Sequence, residues 1–250
     1  MNRWLFFTAC SALAPFAQAV TPAFDRPGIA VTTTTVPAGG IAWEQGLPDF
    51  VRDSRDGTSL RAYAANTNLR FGLSDTFELR LFGSPWNYQR LVTPQGRSSN
   101  KGYGDTGIGF KWAGPSTSKA FSWALLATAS FATGEDDFSS GSTAYDVAAS
   151  LGWAFDDSVS ATLYADAGHQ DGSNSYTISP SLGFALSERW AAFVEAGYTH
   201  AKGSPDNAVA GGGFTWMASE RVQLDLSADF GVNAATPDVQ GGFGVSIYFD

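Results

Sequence analysis

Arg221-Val222-Gln223-Leu224-Asp225-Leu226-Ser227-Ala228-Asp229-Phe230 is the stretch that decides the fold. Val222, Leu224, Leu226, Ala228 and Phe230 share one parity, and Gln223, Asp225, Ser227 and Asp229 share the other. A period of two puts these sets on opposite faces of an extended strand, whereas a helical period would scatter them. Ala120 to Phe131 repeats the pattern, with Phe121, Trp123, Leu125, Ala127, Ala129 and Phe131 against Ser122, Thr128 and Ser130. Working outward, twelve such segments are predicted near 40–48, 58–72, 76–83, 103–113, 119–132, 143–155, 158–169, 174–186, 189–201, 207–218, 221–232 and 239–249.

Tight polar turns at Leu73-Ser74-Asp75-Thr76, Asp156-Asp157-Ser158, Ser187-Glu188-Arg189 and Ala218-Ser219-Glu220 alternate with longer loops at 84–102 and 133–142. Short turns at one end, longer loops at the other and an even strand count describe an antiparallel, up-and-down transmembrane barrel. The barrel is assigned to residues 40–250. Residues 20–39, with Pro22, Pro27, Pro37 and the Thr32 to Thr35 run, are expected to form an irregular lead-in.

The bulk numbers agree with a barrel. Apolar residues make up 44% of the chain and aromatics 14%, yet mean hydropathy is only -0.09. Alternation produces that combination, because each apolar residue is followed by a small or polar one. No run approaches the roughly 18 apolar residues of a spanning helix, so any span must be made of strands.

Residues 1–19 read as an export signal: Arg3 gives the positive start, Trp4 to Phe16 a short apolar stretch, and Ala17-Gln18-Ala19 a small-x-small cleavage site. Cys10, the single cysteine, falls inside it, so the mature chain is expected to lack disulfides and thiolate sites. A net charge of -9 argues against a nucleic-acid partner.

A soluble sandwich also alternates, so the aromatic positions decide between the two. Trp43, Trp112, Trp123, Trp153, Trp190 and Trp216 all fall near the tight-turn ends of their segments, with Phe71, Phe77, Phe121, Phe155, Phe184 and Phe249. Rings gather at such a level where hydrocarbon meets headgroups. The opposite face carries Gly107, Gly109, Ser150, Gly152, Gly183, Gly211 and Gly213, where a sandwich core would need bulky aliphatics.

Leu69-Arg70-Phe71-Gly72-Leu73-Ser74-Asp75-Thr76-Phe77-Glu78-Leu79-Arg80 and Gly102-Tyr103-Gly104-Asp105-Thr106-Gly107-Ile108-Gly109-Phe110-Lys111 carry a family resemblance. In content and order they resemble the outer-membrane transporter-like family named for the MetA pathway of phenol degradation. Phe71 stands for that family's usual tyrosine, Thr76 for its usual arginine, and Asp250 follows the terminal aromatic Phe249. The resemblance implies an outer-membrane barrel that passes small aromatic or hydrophobic molecules.

Strand parity puts Glu44, Arg70, Glu78, Arg80, Asp105, Lys111, Asp146, Asp166, Glu195, Asp225 and Asp229 on the inward face as lumen-lining candidates. If Gly72 lies opposite Thr76, Arg70 faces Glu78 and Asn68 faces Arg80. An acidic lumen would favour cations or positive ends of polar solutes. Twelve strands lie between a filled barrel and a water channel; the small interior residues favour a conduit over a plugged structural barrel.

An outer-membrane lipase is the enzymatic alternative, but His169 and His200 point outward by parity and no serine shows an activating turn. Glu135-Asp136-Asp137 lacks the spacing of a calcium loop, and Gly102-Tyr103-Gly104 and Gly211-Gly212-Gly213 are not followed by a phosphate-binding helix. The expectation is a monomeric passive channel, not an enzyme, with neither cofactor nor metal. Its partners would be outer-membrane lipids, a small-molecule solute, and the assembly machinery that reads the final aromatic strand.

Overall fold

A computed structural model describes residues 23–116, 118 and 120–250; the export signal expected at 1–19 lies outside them. The described residues form fifteen strands and no helix. In chain order these are β1 (Ile41–Arg55), β2 (Thr58–Ala64), β3 (Thr67–Gly72), β4 (Phe77–Gly83), β5 (Asn87–Thr93), β6 (Gly96–Gly102), β7 (Thr106–Ala113) and β8 (Phe121–Phe131). They continue as β9 (Ala144–Ala154), β10 (Val159–Gln170), β11 (Ser173–Ala185), β12 (Trp190–Ala201), β13 (Asn207–Ser219), β14 (Val222–Gly231) and β15 (Val239–Phe249).

Twelve of them close a barrel in the order β1, β3, β4 and β7 to β15, with β15 pairing back onto β1 from Ile41↔Phe249 to Arg52↔Val239. All pairings are antiparallel, as the alternating pattern requires. The remaining strands, β2, β5 and β6, extend the wall beyond the barrel: β2 pairs with the far half of β1, β5 with β2, and β6 with β5. Residues 84–102, expected to be a loop, therefore hold a hairpin. Asn87 to Val92 shows no apolar alternation because a wall standing above the bilayer needs no apolar face.

Asp56-Gly57 and Asp171-Gly172 take φ of 48 and 76° and of 46 and 73°. Consecutive left-handed residues are what a two-residue hairpin turn demands, and Asp-Gly supplies them at low cost.

The outward face is apolar and exposed, including Leu81, Phe110, Leu125, Val147, Ile178, Leu182, Val194, Phe214, Leu226 and Phe243. At the short-turn end the rings pair across strands: Phe77 stacks on Trp112 at 6.3 Å and Trp190 on Trp216 at 5.7 Å, and Phe121 lies tilted against Trp153 at 5.6 Å. Such pairs contribute about 0.5–1.5 kcal/mol beyond their burial. Toward the other end Tyr145, Tyr176, Tyr198 and Phe131 are also exposed. An apolar belt bounded by rings is the surface of a barrel that spans a membrane.

The register of the first short hairpin differs from expectation. Gly72 lies opposite Glu78 and Arg70 opposite Arg80, a slip of two residues. Ser74, Asp75 and Thr76 make the turn, closed by Leu73 N–H donating to the Phe77 carbonyl. An even slip preserves the face, so the charges stay inward while their pairing changes.

Candidate functional site

The lumen is where charged residues and empty space meet, and residues 23–39 run through it. This segment has no regular structure, so its backbone groups need partners from the wall. Glu44 accepts the Asp25 N–H at 2.9 Å, Glu195 the Ile29 N–H at 2.9 Å, and Glu78 the Val36 N–H at 2.8 Å. Arg70 donates to the Ala23 carbonyl, Gln223 to that of Arg26, and Ser150 to that of Val31.

Phe24 and Val36 pack together with Ala42, Met217 and Tyr248, and Thr35 reaches the short turn at Asp75, so the segment enters and leaves at the short-turn end. Between those limbs Ile29, Ala30 and Val31 pack on Leu126, Ala148 and Tyr164. Gly72 and Gly244 leave the room this needs: a Cβ at Gly72 would collide with the Pro37 carbonyl, and one at Gly244 with the Arg26 guanidinium.

Five of the candidate residues converge on one wall. Arg70, completely buried, binds Glu78 at 2.8 Å and Glu44 at 2.7 Å. Arg80 stands directly across from Arg70, and Glu78 relieves that repulsion by accepting from both, the Arg80 contact being 2.7 Å. Lys111 follows on β7 opposite Glu78 and donates to Thr32 at 2.8 Å.

Asp25 closes the cluster from the lead-in, 2.6 Å from Arg80, 3.5 Å from Lys111 and 3.7 Å from Arg70. Burial alone would raise its carboxyl, but Arg70, Arg80 and Lys111 hold it well below the usual carboxylate value.

The facing wall is acidic. Asp225 receives Arg26 of the lead-in at 3.1 Å, and Arg26 also binds Asp49 at 2.8 Å. Glu195 and Asp229 share a row through Gly211, both buried. Asp166 accepts the Tyr164 hydroxyl at 3.0 Å, and Asp146 accepts Thr128 at 3.4 Å.

Asp105 differs from the other candidates. It precedes β7 in the loop at the barrel mouth, where it accepts from Gly134 N–H at 2.9 Å and from Ser140 N–H and Oγ at 2.8 and 2.6 Å. Against its slight burial, those Ser140 and Gly134 hydrogen bonds hold its carboxyl below the usual range. It ties two mouth loops together.

Asp25, Arg26 and Asp49 belong to the site but escaped the sequence reading. Their partners are up to 199 residues away in the chain, as between Arg26 and Asp225, and no local period reports such contacts. The available signal was an Asp-Arg pair in an otherwise neutral segment.

Beyond the lead-in, toward the loop end, a cavity of about 480 Å³ is lined by Asp25, Arg26, Glu44, Arg80, Asn68 and Phe82. On the outer surface beside it, an apolar groove of about 870 Å³ is lined by Leu69, Leu81, Pro85, Tyr103, Ile108 and Phe131. The two share Thr67, Phe82, Gly83 and Ser84. These residues lie where β3 and β4 end and the wall is interrupted before β2 and β5.

The two histidines sit at the loop end, His169 bound to Asn174 and His200 to Asp206, both at 2.7 Å. Among the described residues no serine hydroxyl bonds to either ring.

A closed twelve-stranded barrel with an apolar belt, aromatic rings at its ends and a polar, charged lumen is an outer-membrane protein of bacterial type. The chain belongs to the family described as "Putative MetA-pathway of phenol degradation", whose model matches residues 24–249. In structure it is similar to an outer membrane channel from Pseudomonas putida F1, at 12% identity and TM-score 0.66, over 89% of this chain and 100% of that one. It is similar also to the KdgM porin in complex with disordered oligogalacturonate, at 10% identity and TM-score 0.55, over 84% and 99%. The β domain of the Bordetella autotransporter BrkA matches at 14% identity and TM-score 0.55, over 84% and 100%. No curated protein matches by sequence.

Proposed function

We propose that this barrel is a passive outer-membrane channel for small aromatic or hydrophobic molecules, and that residues 23–39 close its lumen to ions and water at rest. The observation that carries this reading is the shared boundary between the cavity above the lead-in and the apolar groove on the membrane side. A solute entering from the loop end meets the lead-in as a floor. Its nearest exit is sideways, between Phe82 and Ser84, into an apolar surface. A hydrophobic molecule gains by that transfer and an ion does not.

The reading includes export by a signal in residues 1–19 and insertion by the machinery that recognises a final aromatic such as Phe249. It also includes function as a monomer, supported by β15 closing on β1. The lumen candidates then divide by role: Arg70, Arg80 and Lys111 hold Asp25 of the lead-in and Asp225 holds Arg26, and the acids of that second wall tune what passes when the segment moves. An enzymatic role has less support, since among the described residues no serine hydroxyl hydrogen-bonds to either imidazole.

The test is uptake of an aromatic dye, N-phenylnaphthylamine, by cells whose intact outer membrane excludes it. Cells producing the chain should take up the dye faster, and Ser84→Trp, which fills the shared boundary, should slow uptake toward that of cells lacking the chain. Equal uptake with and without the chain would leave a permanently closed structural barrel.

A further inference from the structure

The wall extension formed by β2, β5, β6 and the far half of β1 carries a surface unrelated to the lumen. Asp49 faces inward, where it binds Arg26, so the alternate residues Phe50 and Arg52 face outward. On that outward parity the register places Arg52 opposite Arg61 and Arg61 opposite Arg90, three guanidinium groups in one row. Lys101 lies in the row nearer the membrane and Arg97 in the row beyond. All five are exposed and none pairs with an acid among the described residues. They are a third of the chain's 15 lysines and arginines, in a protein of net charge -9.

Like charges directly across strands destabilise a sheet, so a row of three arginines calls for a counter-charge that this face does not contain. Its height indicates the source. Arg61 lies ten residues beyond Phe71 of the lower aromatic ring. At roughly 3.3 Å per residue and a tilt near 40° it stands about 25 Å higher, the height of the apolar band of such barrels. Just below, Tyr63 and Tyr88 stack at 6.4 Å, and Leu69 and Leu81 carry the apolar surface downward. Apolar belt, tyrosine row and arginine row thus follow one another as hydrocarbon, interface and headgroup do. Guanidinium is also the side-chain group best matched to phosphate.

We propose that the outward face of this extension docks the phosphates of the phosphorylated glycolipid in the outer leaflet, anchoring the barrel beside its membrane-side groove. The test uses the refolded full-length mature protein in detergent, titrated with purified lipopolysaccharide, with its phosphatase-treated form and with inorganic phosphate, bound glycolipid being counted by native mass spectrometry. Wild type should bind the phosphorylated form, and both R52Q/R61Q/R90Q and phosphate removal should weaken binding on the order of a hundredfold. Inorganic phosphate should not displace it. Equal binding by the variant, equal binding of both glycolipid forms, or full displacement by inorganic phosphate would overturn the proposal. Folding is checked by the mobility of unheated protein on a denaturing gel. If the triple variant fails that check, R97Q/K101Q takes its place: about a tenfold loss supports the assignment, and unchanged binding overturns it.

Discussion

The two walls of the lumen each carry five of the charged side chains picked out by parity, and they resolve them in opposite ways. On β1, β3, β4 and β7, Glu44, Arg70, Glu78, Arg80 and Lys111 form a buried network with an excess of cations, which Asp25 of the lead-in completes. On β9 to β14, Asp146, Asp166, Glu195, Asp225 and Asp229 are all acids, and the lead-in offers them Arg26, which binds Asp225. Adjacent residues of one segment therefore present opposite charges to opposite walls. The difference shows that charges of both walls are matched by the chain's own lead-in, Asp25 meeting the cations and Arg26 the acids.

The largest expected effect comes from the cationic wall. Arg70→Ala leaves Glu44 and Glu78 buried without their shared partner and should destabilise the barrel by about 3–5 kcal/mol, measured by urea unfolding in lipid vesicles. A loss below about 1 kcal/mol would mean that the network is far better hydrated than its burial indicates.

Asp25→Asn is the next step down. It keeps the shape of the segment but removes the charge that faces Arg70, Arg80 and Lys111 and that strengthens the hydrogen bonds Asp25 accepts from Thr32, a charge-assisted contact of roughly 1.5–3 kcal/mol. If that energy holds the segment, the variant's open probability in single-channel records should rise by about tenfold to a hundredfold. An unchanged open probability would transfer the anchoring to the acidic wall.

Acidification reaches the same carboxylate without a substitution. Asp25 is held well below its ordinary value when docked, and it returns toward about 3.9 when displaced. The displaced form therefore binds the proton more readily, so docking is complete above the ordinary value and weakens only below about pH 4. Openings that already increase between neutral pH and about pH 5 would point to a different group.

The smallest effect is expected at Glu195→Gln. The amide oxygen still accepts the Ile29 N–H, so closure should be unchanged while the acidic wall loses one charge. In open channels cation preference, read from the reversal potential in a salt gradient, should fall modestly. A large loss of closure would give this wall the anchoring role.

What the sequence made legible follows from the range of its signals. A period of two is local, so all twelve barrel strands could be read from neighbours alone, although 58–72 divides into β2 and β3; so could the inward parity of residues such as Arg70 and Glu195, and the ring of tryptophans gave the membrane level. The β5–β6 hairpin was silent because it stands above the hydrocarbon and neither of its faces is apolar. The first hairpin slipped by two because three residues, Ser74 to Thr76, make its turn, and parity cannot distinguish even shifts. The lead-in was recognised as irregular but not as a lumen segment, because nothing periodic marks Asp25 or Arg26, whose partners come from β1, β4, β7 and β14.

Whether residues 23–39 close the lumen is decided by single-channel conductance in a planar bilayer, comparing the mature protein with a form lacking them. The intact chain should give silence or rare brief openings and the shortened one steady, cation-preferring steps, with both shown to be folded. Equal, steady conductance from the two forms would contradict closure, because a segment that fills the lumen cannot leave the ion path unchanged.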